Sequence, residues 1–145
     1  MAARSWQSEG VKRVLIPLAA AAALAGCGNR YAPDLFVLTR TGSIPGARLT
    51  LRVTDDGFVR CNGGARRRMP DPRLLDAREI ARELEGEAEE DRSLPPGPRS
   101  VLRYRLRLEG GTVRFSDSSR GQTQEMFLAQ AFARRVAQQV CGLAR

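Results

Sequence analysis

The chain has 145 residues, the size of a single domain, and its formal net charge is +8. Of its 24 basic residues only Lys12 is a lysine, and the chain contains no histidine. It therefore lacks the usual general base near neutral pH and the commonest metal ligand. Catalytic arrangements of the Ser-His-Asp or Cys-His kind and zinc sites with histidine ligands are excluded.

The first 26 residues have the pattern of a secretory signal peptide. Residues 1–13 are polar with a net positive charge, and residues 14–24 are apolar. The apolar segment is about half as long as the ~20 residues that cross a bilayer, and Pro17 interrupts it. The segment therefore predicts a cleaved signal rather than an anchor helix.

The sequence Leu24-Ala25-Gly26-Cys27 resembles the lipobox of bacterial lipoproteins, in which a branched apolar residue and two small residues precede an invariant cysteine. The resemblance implies cleavage before Cys27, a diacylglyceryl thioether on its sulfur and acylation of the new amino group. Two or three acyl chains anchor a protein stably, whereas a single chain holds it only marginally. The alternative is an alanine-rich signal peptide that contains a cysteine by chance.

The lipobox gives the chain a predicted location and a predicted domain organisation. We expect a lipid anchor on the extracytoplasmic side of the cell membrane or envelope. Residues 1–26 would be the signal peptide, residues 27–33 a lipidated tether and residues 34–145 a single domain. The membrane, reached through lipid on Cys27, is then the first expected partner.

The exported part is expected to begin with a strand and a β-hairpin. Residues 35–38 are apolar and predict a first strand, which ends in the segment 41–46 that contains glycine and proline. Apolar and polar residues alternate strictly over residues 48–53. A tight turn at residues 55–57 connects this strand to a further strand at residues 58–61.

A helix is predicted after the basic run at residues 66–68. Asp71 and Pro72 are typical of a helix start, with a capping aspartate and a proline in the first turn. An apolar stripe at helical spacing follows, formed by Leu74, Ala77, Ile80, Ala81, Leu84 and Ala88. The acidic run 85–91 lies at the wrong end for the helix dipole, so we expect it to fray into the loop at residues 93–98.

A second hairpin and a last helix complete the domain. Residues 101–108 alternate apolar residues with arginines, Gly110 and Gly111 make the turn, and Val113 and Phe115 return on the apolar face. Residues 122–143 carry an apolar stripe at helical spacing. The order ββ(β)αββα predicts an α+β domain in which two helices cover one face of an antiparallel sheet of four to five strands.

Two cysteines remain in the exported part besides Cys27. Cys61 shares a strand face with Val59, and Cys141 lies on the apolar stripe of the last predicted helix, so both are expected to point into the core. An oxidising compartment favours a disulfide between them. Two buried free thiols are the alternative, because sequence alone does not prove connectivity. A redox or nucleophilic role is disfavoured, since the chain has no CxxC motif and no histidine.

The outward positions of the predicted strands are rich in arginine: Arg48, Arg52, Arg60, Arg103, Arg105, Arg107 and Arg114. Several guanidinium groups on one surface predict a site for an anionic partner, either a protein or a component of the envelope. The candidates are the arginines of the second hairpin: Arg103, Arg105, Arg107 and Arg114. A solvated face is the alternative. Nucleic acid is not expected, because an exported domain rarely meets it and aromatic residues for base stacking are scarce here.

No residue is assigned a catalytic, metal-binding or cofactor-binding role. The segment 55–57 lacks the spaced carboxylates of a calcium loop. The acidic residues that end the first helix lie on a polar segment rather than in a pocket, and the serines at residues 116–119 have no base nearby in the sequence. The first hypothesis is therefore a non-enzymatic binding protein of the envelope.

The run from Arg40 to Leu51, the helix that follows, the segment 104–106 and the closing helix resemble the emfourin group of small inhibitors of thermolysin-type metalloproteases. Those proteins also begin with a strand, a glycine-containing loop and a second strand, and the similarity covers most of residues 34–143. The resemblance implies an anchored protease inhibitor that uses the loop from Thr41 to Gly46 as a wedge. The same element order is compatible with an uncharacterised lipoprotein family of high-GC bacteria.

Overall fold

Six strands and two helices form along residues 32–143, the part of the chain that the computed structural model describes. The strands are β1 (Asp34–Gly42), β2 (Leu49–Thr54), β3 (Phe58–Cys61), β4 (Arg66–Arg68), β5 (Leu102–Arg107) and β6 (Thr112–Ser116). The helices are α1 (Asp71–Glu89) and α2 (Gln124–Gln139). Between residues 32 and 143, neither helix is both long and apolar enough to cross a membrane. The predicted signal peptide, Cys27 and the first residues of the tether lie outside the described residues.

The strands form one antiparallel sheet in the order β4-β3-β2-β1-β5-β6. Along the central strands every second side chain is buried, and these side chains belong to the same core as the buried residues of both helices. Both helices therefore cover one face of the sheet. This confirms the predicted α+β class. The sheet has six strands, where four to five were expected.

The hydrophobic core fills the space between the sheet and the helices. Leu38, Leu51 and Leu106 point from adjacent strands toward the helices and are fully buried. From α2 the ring of Phe132 packs edgewise against Phe36, with ring centroids 5.7 Å apart. Burying a side chain of this size stabilises the fold by about 1.5–3 kcal/mol. Among residues 32–143, no helix covers the other face of the sheet.

Strand β4 was not predicted, because three consecutive arginines carry no apolar alternation. It pairs with β3, where Phe58 lies opposite Arg68 and Arg60 lies opposite Arg66. The Arg66 guanidinium lies over the Phe58 ring, 3.8 Å from its centroid, which is cation–π geometry. Charge on an edge strand also disfavours pairing with another chain.

The helix starts differ from the prediction in detail. Pro70 occupies the N-cap of α1, and Asp71 is its first helical residue, so Asp71 is not the cap. Pro72 lies in the first turn as predicted. Helix α2 begins two residues later than predicted, because Thr123 caps it by accepting a hydrogen bond from the Met126 amide at 3.4 Å.

The acidic end of α1 does not fray, contrary to the prediction. The helix continues to Glu89, and carboxylates near and just after its end accept hydrogen bonds from the β5–β6 turn and from the start of β6. Glu85 accepts a hydrogen bond from the Gly110 amide at 2.6 Å, and Asp91 accepts one from the Thr112 amide at 3.1 Å. These tertiary hydrogen bonds outweigh the unfavourable helix dipole, which is worth about 0.3–1 kcal/mol at an exposed site.

Candidate functional site

The face of the sheet turned away from the helices, here called the open face, is lined with arginines. Its strands contribute Arg52, Arg60, Arg66, Arg68, Arg103, Arg105, Arg107 and Arg114. The structure thus places all four arginines of the second hairpin on this face and adds the two on β4, which the sequence did not predict as strand residues. Arg48 is exposed but lies one residue before β2.

The arginines on β2, β3 and β4 all have partners within the domain. Arg52 Nε lies 2.7 Å from Asp34 Oδ2, Arg66 forms an ion pair with Asp56, Arg60 Nη1 donates to the Gly64 carbonyl at 3.2 Å, and Arg68 Nη2 lies 4.0 Å from Asp71 Oδ1. On this half of the open face, each guanidinium is thus at least partly satisfied by the fold itself.

In the part of the chain that the structure describes, the arginines on β5 and β6 have no such partners. Within residues 32–143, the guanidinium groups of Arg103, Arg105, Arg107 and Arg114 make no hydrogen bond or ion pair. Arg105 also lies directly opposite Arg114 in the ladder. Like charges directly opposite each other in a sheet destabilise it by about 0.2–1 kcal/mol. No carboxylate of the described residues forms an ion pair with either arginine, so this repulsion is not offset there.

A depression of about 570 Å³ lies on this half of the open face. Its lining includes three of the four arginines, Arg103, Arg105 and Arg114, and the hydroxyl-bearing residues Thr39, Thr41, Ser93 and Ser116. No acidic residue of the described chain lines it. Arg107 lies one row further along the face, opposite Val37 and Thr112, and does not line the depression.

The strand register explains this grouping. Arg105 has Thr39 on one side and Arg114 on the other, while Arg103 has Thr41 and Ser116 as its neighbours. Side chains directly opposite each other have Cβ atoms about 4.5–5.5 Å apart, and same-face neighbours along a strand are about 7 Å apart. Long arginine side chains can therefore converge on one bound anion.

One rim of the depression is a segment that continues from α1 along the edge of β6. The Leu94 amide donates to the Arg114 carbonyl at 2.8 Å, and the Arg114 amide donates to the Arg92 carbonyl at 2.9 Å. The buried Ser119 hydroxyl donates to the Pro95 carbonyl at 2.8 Å and accepts from the Ser116 amide. The serine cluster noted in the sequence thus secures this rim.

The loop between β1 and β2 is held by a buried arginine. Arg40 is 4% exposed, and it donates from Nε to the Ala47 carbonyl at 2.9 Å and from Nη2 to the Gly46 carbonyl at 3.0 Å. Ile44, near the tip of the loop, is 43% exposed.

Burial raises the pKa of the Tyr104 hydroxyl, which lies near Arg40, although the Arg40 charge acts in the opposite direction.

Cys61 and Cys141 lie together as a disulfide-bonded pair, with their Cα atoms 5.9 Å apart. Cys61 ends β3 and points to the core side of the sheet, as expected. Cys141 does not lie on a helix, because α2 ends at Gln139, but it still packs against the core. The pair connects the sheet to the chain that follows α2.

The hydroxyl groups of the depression were missed at the level of sequence. Thr39 and Thr41 occupy alternate positions of β1, so extending the first predicted strand beyond residue 38 would have revealed that they share a face. Ser93 comes from a segment without periodicity and had no such signal. In the part of the chain from residue 32 to residue 143, no group of three or more acidic or cysteine side chains could hold a metal ion.

The arginines on β5 and β6 are thus a cluster of guanidinium groups on one surface, without a partner among residues 32–143. Their chemistry is that of an anion site, since a guanidinium group offers several donors and a permanent positive charge. No protein-family model, no curated protein and no solved structure matches this chain.

Proposed function

We propose that this chain is the precursor of a bacterial lipoprotein, cleaved before Cys27 and anchored through lipid on that cysteine at the extracytoplasmic side of the membrane or cell envelope. The lipobox sequence supports the proposal. So does the position of the domain, whose first strand begins at Asp34. Only six peptide units separate Cys27 from Pro33, a span of at most about 20 Å, so the anchor would hold the domain close to the bilayer.

The domain itself is proposed to be a non-enzymatic binding module whose open face takes an anionic partner. The observation that carries this proposal is the contrast between the two halves of that face. The arginines on β2, β3 and β4 have internal partners, whereas those on β5 and β6 have none among the described residues. Guanidinium groups left without a carboxylate remain available to a ligand.

Mass spectrometry of the protein extracted from membranes tests the anchor. We expect a mature chain that starts at Cys27 and carries the added mass of its acyl groups. A Cys27→Ser variant is the control and should lose both the lipid mass and the cleavage. A mature protein that keeps an intact Met1 terminus would contradict the proposal.

Chromatography on an anionic phosphate matrix tests the binding face. A variant with Arg103, Arg105 and Arg107 all replaced by Gln should elute at clearly lower salt than the unmodified protein. The matched control removes three exposed arginines on the helices, which cover the other face of the sheet: Arg82, Arg134 and Arg135. Both variants lose the same net charge, so identical elution would show that the open face has no special role.

A second candidate function is the inhibition of a secreted metalloprotease. It is favoured by the loop at residues 41–46, which Arg40 holds from below while Ile44 is exposed. A loop that is ordered before binding pays less conformational entropy when a partner captures it. Replacing residues 43–46 should abolish the inhibition of a thermolysin-type protease. Failure of the unmodified protein to slow such a protease at micromolar concentration would remove this candidate.

A further inference from the structure

We propose that the depression on β5 and β6 binds the phosphate group of an anionic phospholipid headgroup, so that the open face lies on the membrane to which the chain is anchored. This inference rests on the proposed lipid anchor and names the anionic partner of the binding face. It is carried by the ligand chemistry of the depression, the distribution of charge between the two layers of the domain and the point at which the chain enters the sheet.

The lining of the depression matches a phosphate group. Arg103, Arg105 and Arg114 offer planar donor groups that suit phosphate oxygens, and the accessible hydroxyls of Thr39, Thr41 and Ser93 can donate further hydrogen bonds. No carboxylate competes within the described lining. The site is open and lies on the surface of a sheet, which suits a group presented by a surface rather than a small molecule that must be enclosed.

Charge repulsion within the depression points to the same ligand. Arg105 and Arg114 face each other directly, and the described chain places no acid beside them. On the other half of the open face, Arg52 has Asp34 and Arg66 has Asp56. A bound phosphate would offset the repulsion between Arg105 and Arg114, as Asp34 and Asp56 offset the positive charge on the other half of the open face.

The two layers of the domain carry opposite charge. The open face presents eight arginines, whereas the two helices of the other layer together carry eight acidic residues and five arginines, with most of the acidic residues on α1. An anionic bilayer would attract the first layer and repel the second. The resulting orientation places the depression against the headgroups.

The chain enters the sheet at the same face. Ala32 and Pro33 line a second depression of about 420 Å³ together with Arg52, Arg60 and Arg66, all of which belong to the open face. With lipid on Cys27, a tether of at most about 20 Å would start from this face. A ligand in the membrane surface therefore fits both the anchor and the site. Binding of a soluble polymer would require neither a tether at the open face nor opposite charge on the two layers.

The experiment uses the membrane-extracted protein reconstituted into vesicles of phosphatidylcholine alone or of phosphatidylcholine with phosphatidylglycerol. An arginine-specific dicarbonyl reagent is added, and the modification of each arginine is followed by mass spectrometry. In the anionic vesicles we expect Arg103, Arg105 and Arg114 to react about tenfold more slowly than in the neutral vesicles. Arg134 and Arg135 on α2 are internal controls and should react equally in both.

Two variants and two soluble probes complete the experiment. Replacing Arg105 and Arg114 by Gln should remove the protection of Arg103, whereas replacing Arg134 and Arg135 by Gln should leave that protection intact. In neutral vesicles, inorganic phosphate and polyphosphate are added separately. Protection by either probe without protection by phosphatidylglycerol would overturn the inference in favour of a soluble phosphate source.

Failure of the inference can be distinguished from failure of the anchor. A protein that does not stay with neutral vesicles lacks the proposed anchor, and this removes the premise of the inference. A protein that stays with neutral vesicles but shows the same arginine reactivity in both kinds of vesicle keeps its anchor and overturns the inference alone.

Discussion

Asp56, in the turn between β2 and β3, has two side-chain partners. Its Oδ1 accepts a hydrogen bond from the Thr54 hydroxyl at 2.6 Å, and its Oδ2 forms an ion pair with Arg66. The hydrogen bond from Thr54 and the bond to Arg66 hold the pKa of this carboxyl below its usual value of 3.8. One aspartate thus connects the turn to the edge strand β4.

Replacing Thr54 by Val should raise the pKa of Asp56 toward its ordinary value, because the largest cause of the lowering is removed. NMR titration of the side-chain carboxyl carbon measures this directly. Thr50→Val on the same strand is the control and should leave the pKa of Asp56 where it was. An unchanged pKa in Thr54→Val would show that the hydroxyl does not stabilise the carboxylate.

The same lowering predicts a pH dependence at the acidic end of the scale. A carboxyl whose pKa is lower in the folded state stabilises the fold above its ordinary pKa, and this contribution is lost as the pH falls through the lowered value. In Thr54→Val the contribution of Asp56 should therefore be smaller at neutral pH and should disappear at a less acidic pH. Unfolding by urea at several acidic pH values measures the difference.

At the scale of elements, helix α1 and the β5–β6 turn approach each other very closely. A Cβ atom on Gly111 would lie 2.0 Å from the Ala88 carbonyl oxygen, which is a backbone atom that cannot move aside easily. A Cβ atom on Gly86, in the same region of α1, would meet no described atom within 4 Å apart from the backbone of its own helix. A side chain is therefore excluded by the fold at Gly111 but tolerated at Gly86.

Gly111→Ala should lower the free energy of unfolding by about 1–3 kcal/mol, because the turn has to move away from α1. Gly86→Ala should raise it by about 0.5–1 kcal/mol, because alanine favours the helix and meets nothing. Urea unfolding of both variants tests the pair. Equal effects of the same sign would show that the helix and the turn are not in close contact.

The sequence predicted most elements but not all of their ends. Seven of the eight elements were expected from alternation or helical spacing, since both patterns follow from burying one side of a strand or helix. Strand β4 was missed because its stabilisation comes from pairing with β3 and from Phe58, neither of which leaves a local pattern. The predicted end of α1 was wrong because the carboxylates of Glu85 and Asp91 accept hydrogen bonds from Gly110 and Thr112, which are distant in sequence.

For the molecule as a whole, the Cys61–Cys141 pair closes a long stretch of chain. The two residues are 80 positions apart, and a crosslink of this span restricts the unfolded chain strongly. Replacing both cysteines by Ala should lower the free energy of unfolding by about 4 kcal/mol on the chain-entropy model. The unmodified protein in reductant should match the variant in thermal unfolding. If reductant leaves the unfolding temperature unchanged, the crosslink is absent.

The arrangement of charge predicts that stability and binding oppose each other on the open face. Arg105→Thr should stabilise the domain at low salt by roughly 0.5 kcal/mol, because it relieves the repulsion with Arg114. The same change should weaken retention on an anionic phosphate matrix. Arg52→Thr is the matched control: Arg52 also lies directly opposite an arginine, Arg60, but its ion pair with Asp34 offsets the repulsion, so this change should not stabilise the domain. Equal stabilisation by both variants would argue against a functional role for the unpaired arginines.

By itself the sequence determined the α+β class, the core side of each main strand and the presence of arginines on the opposite side. These properties follow from the period of hydrophobic residues, which is local. Only the tertiary structure decided which arginines have partners and which three of them share a depression with Thr39 and Thr41. That grouping depends on β1 lying between β2 and β5, and strand order and register are set by contacts between residues far apart in the chain.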